Sequence, residues 1–262
     1  MTGVLVIARI VWLEVLRRKD AYVLFILLAA FLLTLLTLDS FGLGGLVVYV
    51  KEIGLLMAWL FSWLLAVAVS VRQLPQEEAR GTIFPLLAKP ITRWELIAGK
   101  WLGAWSVVSA ATALFYLFLV GVVLGRGGSL EPPILWQALF LHFCLLGIVV
   151  ALGILFSTRL NADAAGTLTL VVLAATYLIL PRVPALIVHE HGLRARGLLA
   201  LYYALPHLEL FDLRRRLVYS WDPVLATVWL QVLLYGLILI SILLLLAWLA
   251  YRRKKLTRGA MS

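Results

Sequence analysis

The sequence has little of what a water-soluble enzyme requires. Only 14% of its 262 residues are charged and 64% are hydrophobic, whereas a soluble domain is typically about one quarter charged. Its single cysteine, Cys144, lies in an apolar stretch, so no internal disulfide can form, and we interpret the thiol as a small buried side chain. No Walker-type phosphate-binding loop occurs, because Gly99-Lys100 has Trp94 where the leading glycine should be. These shortages favour an integral membrane protein that does not itself hydrolyse ATP.

Acidic residues are also scarce. The 13 Asp and Glu face 23 Lys and Arg, which gives a net charge of +10. Such an excess can indicate nucleic-acid binding, but here the basic residues form short groups beside apolar stretches, where they set the orientation of membrane spans. We therefore expect membrane lipid as a partner and no nucleic acid.

Long hydrophobic runs dominate what is present. Six stretches approach the roughly 20 residues that a helix needs to cross the hydrocarbon core. Each must be helical, because lipid offers no hydrogen-bond partners to backbone groups. The prediction is an all-α integral membrane protein, one transmembrane domain over 1–262. Its predicted spans are 21–38, 53–71, 102–124, 134–156, 164–180 and 224–251.

The amino terminus, residues 1–19, predicts an amphipathic helix at the membrane surface. Val4, Val11 and Val15 recur at helical spacing on an apolar face, while Arg9 and Arg17 fall on the other side. The basic residues follow the apolar stretch, which is the reverse of the order in a signal peptide. We therefore expect this segment to be retained as an interfacial helix.

The distribution of Lys and Arg predicts the orientation. Fifteen of the 23 fall in the two termini and the alternate loops on one side, which is therefore the cytoplasmic side. This places 72–101 in the cytoplasm as a loop and 181–223 outside as a helical loop. The outer loop carries six arginines, but long loops count less in this rule. The expected location is the plasma (inner) membrane, in a multi-pass topology.

The loop 72–101 is the long polar segment between apolar spans near the front of the chain. We predict two short amphipathic helices along the membrane surface, joined by Gly and Pro hinges. Thr92 fits the N-cap of the second helix, and Glu95 three residues later completes a capping box.

The same segment resembles the first cytoplasmic loop of type-2 ABC permeases, the membrane subunits of ATP-binding-cassette exporters. One difference from the family pattern is that Glu78 stands one residue before the expected second glutamate, whose place Ala79 takes. The residues that carry the resemblance are Glu77, Gly81-Thr82, Leu86-Leu87, Lys89-Pro90, Thr92-Arg93-Trp94-Glu95 and Gly99-Lys100.

The resemblance implies the permease half of an ATP-driven exporter. A separate cytoplasmic ABC ATPase would bind ATP and Mg, and a second permease copy would complete a homodimer or a heterodimer with a relative. The chain itself would hold no catalytic residue, cofactor or metal. The ATPase-coupling residues implied are Glu77, Glu78, Arg80, Gly81 and Thr82.

Two other functions fit parts of the sequence. A membrane scaffold that binds an ABC ATPase for regulation or cofactor maturation, without transport, would share the same loop. An intramembrane CAAX-type protease also uses a Glu-Glu pair, but there the following arginine is three residues further on, whereas Arg80 is two residues after Glu78. The pair would also lie in a cytoplasmic loop, so the protease is the remote alternative.

Histidines raise two further questions. His189 and His191 flank Glu190, but residues two apart do not share a helix face, so polar surface histidines are favoured over a metal site, and His207 is distant in sequence. His142 and Gln137, in the fourth span, fit either interhelical hydrogen bonds or the lining of a translocation path.

Tryptophans lie near the ends of the predicted spans, and we interpret them as membrane-interface anchors. These are Trp59, Trp63, Trp101, Trp105, Trp136, Trp221, Trp229 and Trp248.

Overall fold

A computed structural model describes residues 3–17, 26–27, 30–31, 33–34, 47–79, 92–188, 192–252 and 254, without the side chains of 77, 79, 201 and 204. Every regular element among these residues is a helix. The α-helices are α1 (Gly3–Arg17), α2 (Val47–Ser70), α3 (Pro75–Ala79), α4 (Arg93–Gly125), α5 (Pro132–Ser157), α6 (Ala162–Ala174), α7 (Val183–Ile187), α8 (Leu193–Ala204), α9 (Arg214–Val218) and α10 (Ala226–Arg252).

Among the described residues, five helices are long and apolar enough to cross a membrane, and they overlap the second to sixth predicted spans. The fifth consists of α6, a π-helical turn, a 3-10 turn and α7, so that it runs from Ala162 to Ile187. The first predicted span, 21–38, lies largely outside the described residues; those described within it are helical. Six spans and their orientation stay predictions.

The second span begins earlier than predicted. Helix α2 starts at Val47, six residues before the expected start at Ile53. The predicted spans leave Lys51 and Glu52 in the loop before this helix, but Lys51 is 95% buried, with its Nζ 3.2 Å from Ser220 Oγ. A hydrogen-bonded lysine inside the first turns of a helix does not end it.

The third span also begins earlier. The predicted capping box is confirmed: Thr92 caps the helix, and Glu95 Oε2 accepts a hydrogen bond from the Thr92 backbone N–H at 2.8 Å. However, this cap does not start a separate short surface helix. Nothing interrupts the helix at Gly99-Lys100, and α4 continues from Arg93 to Gly125 as one helix of 33 residues, about 50 Å long.

Helix α1 packs along the first half of α4. The predicted apolar face is confirmed in part: Ala8, Val11 and Val15 are buried together with Ile7, while Leu5 and Leu16 of that face are exposed. Gly103 allows the close approach, because a Cβ there would lie 2.7 Å from Val11 Cβ. The location of α1 at a membrane surface stays a prediction.

Helix α5 lies at the centre of the bundle and contacts α2, α4, α6 and α10. Leu145, Ile148, Val149 and Ala151 are fully buried, so the middle of α5 faces protein on all sides.

The bundle has two ends, which carry different polar groups. Hydrogen bonds join Arg93 to the end of α10 and Lys254 to Thr158, so the end of α2, the start of α4 and the ends of α5 and α10 lie together. We call this the junction end. At the other end, the loop end, Gln137 of α5 meets Val224 just before α10.

Part of the long segment before α10 is packed into the loop end of the bundle. Leu208 and Phe211, in a 3-10 turn, are fully buried, and Leu217 of α9 is 99% buried. Helix α9 lies against α2 and α5. The expected surface helices are therefore present only in part, because the apolar residues of 208–218 enter the core.

Candidate functional sites at the two ends of the bundle

At the junction end, the short helix α3 carries Glu78 next to the last membrane-spanning helix. Helix α3 follows α2 after a four-residue turn, so its position is fixed by the end of that span. Glu78 Oε2 lies 2.7 Å from Lys254 Nζ, and the side chains of the pair are about one quarter exposed. The other carboxylate oxygen, Oε1, is buried and receives no hydrogen bond from the described residues.

Basic side chains hold the carboxyl end of α10 at the same place. Arg93 Nη1 donates to the carbonyls of Tyr251 at 2.8 Å and Arg252 at 2.9 Å, and Arg159 Nη2 donates to Ala250 O at 2.8 Å. The last carbonyls of a helix have no partner inside it, and cations there also complement its dipole. Lys254 additionally donates to Thr158 O at 3.0 Å. We call Glu78, Arg93, Arg159 and Lys254 the basic junction.

The structure describes only part of the predicted coupling set. Glu77 and Glu78 lie on α3, and the side chain of Glu78 contacts this chain's own Lys254. Arg80, Gly81 and Thr82 lie outside the described residues, as does the side chain of Glu77. The basic junction therefore contains three residues, Arg93, Arg159 and Lys254, that the predicted set lacks.

At the loop end, an ion pair is enclosed by aromatic rings. Arg214 Nε and Nη2 bond both carboxylate oxygens of Asp212 at 2.8 to 3.2 Å. The Tyr177 hydroxyl accepts from Arg214 and donates to Asp212. The guanidinium also lies over Trp59, with Cζ 4.6 Å from the ring centroid. We call Trp59, Tyr177, Asp212 and Arg214 the Arg214 cluster.

The electrostatics of this cluster keep the pair charged. Burial by itself raises the pKa of Asp212, but the hydrogen bonds and charge of Arg214, with the Tyr177 hydroxyl, hold that pKa below its usual range. Burial likewise acts to lower the pKa of Arg214, and the Asp212 carboxylate more than offsets it, so the pKa of Arg214 is raised. The side chains of Arg214 and Asp212 are only 19% and 17% exposed, so the stability of each charge depends on the presence of the other.

A buried polar chain continues from the Arg214 cluster into the bundle. Trp59 stacks on His142 with ring centroids 4.6 Å apart. The His142 ring nitrogens lie 2.9 Å from Ser62 Oγ and 3.3 Å from the Tyr116 hydroxyl. Of the two uses considered for His142, interhelical hydrogen bonding is the one that these contacts provide.

Gln137 makes the same kind of contact at the loop end. Its side-chain amide exchanges two hydrogen bonds with the backbone of Val224, at 2.8 and 2.9 Å. The backbone carbonyl of Gln137 accepts a further hydrogen bond from Trp229 Nε1 at 3.2 Å. These bonds fix the chain just before α10 against α5.

Five of the eight tryptophans predicted as interface anchors fall into two groups. Trp136 and Trp221 are more than half exposed, as interface anchors would be. Trp59 is only 4% exposed, and the indoles of Trp101 and Trp105 donate to carbonyls of α5, to Gly147 at 3.0 Å and Phe143 at 2.8 Å. The interface interpretation is therefore wrong for Trp59, which is buried inside the bundle. For Trp101 and Trp105, whose indole N–H groups bond inside the bundle, it stays a prediction.

The histidines and carboxylates provide no metal site in the described part of the chain. Residues 189–191 lie outside it, and His207 Nδ1 is bonded to Glu209 Oε1 at 2.9 Å. No group of three or more His, Cys, Asp or Glu side chains that could hold a metal occurs among the described residues. Glu78 lies beside Thr158, sixteen residues along α5 from His142, or about 24 Å.

Sequence reasoning missed Asp212, Arg214, Tyr177 and Lys254. The sequence does hold a signal for the first two: Asp212 and Arg214 alternate with the large apolar residues Phe211 and Leu213, in a segment that the sequence analysis predicts at the outer surface. A charged pair two residues apart inside an apolar segment is typical of a buried, paired site.

The chain matches the family described as ABC-2 family transporter protein over residues 57–256, from the middle of α2 to just beyond α10. The match includes both the basic junction and the Arg214 cluster. Membrane domains of this family are typically non-catalytic. No curated protein matches the chain. Because the match extends over most of its length, the chain belongs to the ABC-2 family of transporter proteins, as a multi-span membrane permease.

Proposed function

We propose that the chain is the permease half of an ATP-driven exporter, and that α3 couples it to a separate cytoplasmic ABC ATPase. The observation that carries the proposal is the contact between Glu78 of α3 and Lys254 at the end of α10, at 2.7 Å. Through it, a short helix at the end of the second span is tied to the last span. A force on α3 is therefore passed to two spans that are far apart in sequence.

In this proposal, the predicted coupling residues make two different contacts. Glu77, Arg80, Gly81 and Thr82 contact the ATPase, while Glu78 connects α3 to the basic junction. Arg93 and Arg159 hold the end of α10 so that it moves with the start of α4 and the end of α5. A second permease chain completes the transporter, and ATP and Mg bind to the partner ATPase. Motion of α3 tilts the spans between inward-open and outward-open states.

The junction favours transport over the scaffold alternative, because a passive docking loop has no need for a tie to the last span. The protease alternative loses support, since Glu78 is occupied by Lys254 and lies far from His142.

The test is co-expression of the full chain with its ABC ATPase. Glu77→Lys/Glu78→Lys should abolish association or permease-stimulated ATP hydrolysis, because loss of the proposed Glu77 charge contact with the ATPase costs about 2–5 kcal/mol of binding. Gly81→Val, tested separately, should do the same, because a β-branched side chain opposes the sharp turn proposed at Gly81. Insertion into the membrane should be unchanged. Arg126→Glu, in the turn at the loop end, is the control and should have little effect. Normal stimulation by both coupling variants would contradict the proposal.

A further inference from the structure

The loop end contains a cavity that the proposed coupling mechanism does not use. It has a volume of about 560 Å³ and lies between α2, the fifth span and the segment 209–219. This volume is within the range of small-molecule sites in proteins. Its wall includes Asp212, Arg214 and Tyr177, so the Arg214 cluster forms one side of it.

The charges around the cavity do not balance. Arg214 is committed to Asp212 by three side-chain hydrogen bonds, so that pair adds no net charge. The remaining charged residues of the wall are Glu52, Glu209 and Arg215. Two carboxylates against one guanidinium leave the cavity with a net negative charge.

One of these carboxylates lacks a partner on one oxygen. Glu209 Oε1 is bonded to His207 Nδ1 at 2.9 Å. Glu209 Oε2 is buried and receives no hydrogen bond from any described residue. A buried acceptor without a donor costs free energy, and more so if it is charged. A positive charge in the cavity would reduce that cost.

The rest of the wall is suited to an apolar body. Leu56, Pro181 and Val218 supply aliphatic surface, and Tyr177 and Tyr219 supply aromatic rings. Ring faces attract cations as well as apolar groups. An anion would meet two carboxylates and a single uncommitted guanidinium, that of Arg215, because the guanidinium of Arg214 is already bonded to Asp212.

We propose that this cavity binds an organic cation that carries an apolar group, with Glu52 and Glu209 as its counter-charges. The site rests on the proposed function only for the step that follows binding, in which the exporter would release such a cation at this end of the bundle. Binding itself requires neither ATP nor the partner ATPase.

The experiment uses two probes of the same shape and opposite charge, tetraphenylphosphonium and tetraphenylborate. The full-length chain is placed in lipid nanodiscs without ATPase, and equilibrium binding is measured after subtraction of empty nanodiscs. Saturable binding of tetraphenylphosphonium, at least about tenfold tighter than that of tetraphenylborate, is expected, since one contact between opposite charges contributes about 1.4 kcal/mol or more.

Variants then locate the site. Glu209→Gln keeps the acceptor for His207 and removes the charge, and it should weaken tetraphenylphosphonium binding about tenfold, as should Glu52→Gln. Glu131→Gln is the control, because Glu131 lies at the same end of the bundle but does not line the cavity. Thermal unfolding of each variant checks that it is folded.

The outcomes separate the two proposals. Absence of saturable cation binding, tighter binding of the borate, or unchanged binding in Glu52→Gln/Glu209→Gln would overturn the cavity proposal while leaving ATPase coupling intact. Loss of ATPase stimulation in the α3 variants with normal cation binding supports both. Cation binding without any ATPase association would support the cavity and overturn the exporter.

Discussion

At the junction end, charged side chains join elements that are far apart in the sequence: Lys254 meets Glu78 across 176 residues, and Arg93 reaches Arg252 across 159. At the loop end, Asp212 and Arg214 are two residues apart and are enclosed by Trp59 and Tyr177. Both carboxylate oxygens of Asp212 are bonded, whereas Glu78 has one oxygen without a described donor. The junction therefore links helices, and the Arg214 cluster fixes one segment against them.

This difference in hydrogen bonding between the two ends has a physical consequence. A side chain that bonds backbone carbonyls or a single partner can be released at modest cost, since water replaces it. A buried ion pair whose carboxylate oxygens both accept hydrogen bonds cannot lose one member cheaply, because the other is then left as an uncompensated charge. We therefore expect the junction to move during a transport cycle and the Arg214 cluster to stay formed.

The largest effect is expected at the Arg214 cluster. Arg214→Leu leaves the Asp212 carboxylate buried without its partner, and the free energy of unfolding should fall by about 3 kcal/mol. Thermal unfolding in detergent, followed by the fluorescence of the tryptophans, measures the loss. Arg215→Leu is the matched control, because Arg215 is the exposed neighbour on the same helix. Equal losses of unfolding free energy in the two variants would mean that the buried pair contributes no more to stability than an exposed arginine.

A smaller effect on stability is expected at the junction. Lys254→Met removes a pair whose side chains are about one quarter exposed, and such pairs contribute about 1 kcal/mol or less. Stimulation of the partner ATPase should nevertheless fall, because α3 is no longer tied to α10.

A charge swap sharpens this comparison. Glu78→Lys alone places like charges together, and Glu78→Lys/Lys254→Glu restores an opposite pair, so the double variant should recover stimulation that the single variant loses. If the single and double variants behave alike, the pair does not transmit motion, and the comparison between a moving and a fixed end fails.

The sequence predicted features that depend on local pattern. The capping box at Thr92 and Glu95 was found because a cap is a matter of residue type at fixed spacing. The second to sixth spans follow from hydrophobic length alone. The third predicted span begins only at 102 because Arg93, Glu95 and Lys100 are charged, whereas α4 begins at Arg93 and buries Lys100 to 99%.

The candidate sites were predicted less well, since both depend on tertiary contacts. Glu78 could be named from its motif, but nothing in the sequence pairs it with Lys254 in the basic tail. Arg214 was counted as one of six arginines in an outer loop, although the fold places it over Trp59 in the second span. A contact between residues 155 positions apart leaves no periodicity to detect.

The smallest effect concerns pH, and it follows from the lowered pKa of Asp212. A carboxylate whose pKa is lower in the folded state contributes stability that is fully present above its unfolded value, about 3.9, and is lost as the pH falls through the folded value. The difference in unfolding temperature between the wild type and Asp212→Asn should therefore be constant from about pH 5 to 9 and should shrink only below about pH 4. A difference that already shrinks between pH 7 and 5 would indicate that Asp212 takes up a proton in the folded protein within that range. In that case the pair would not be a fixed element, and the loop end could open by protonation.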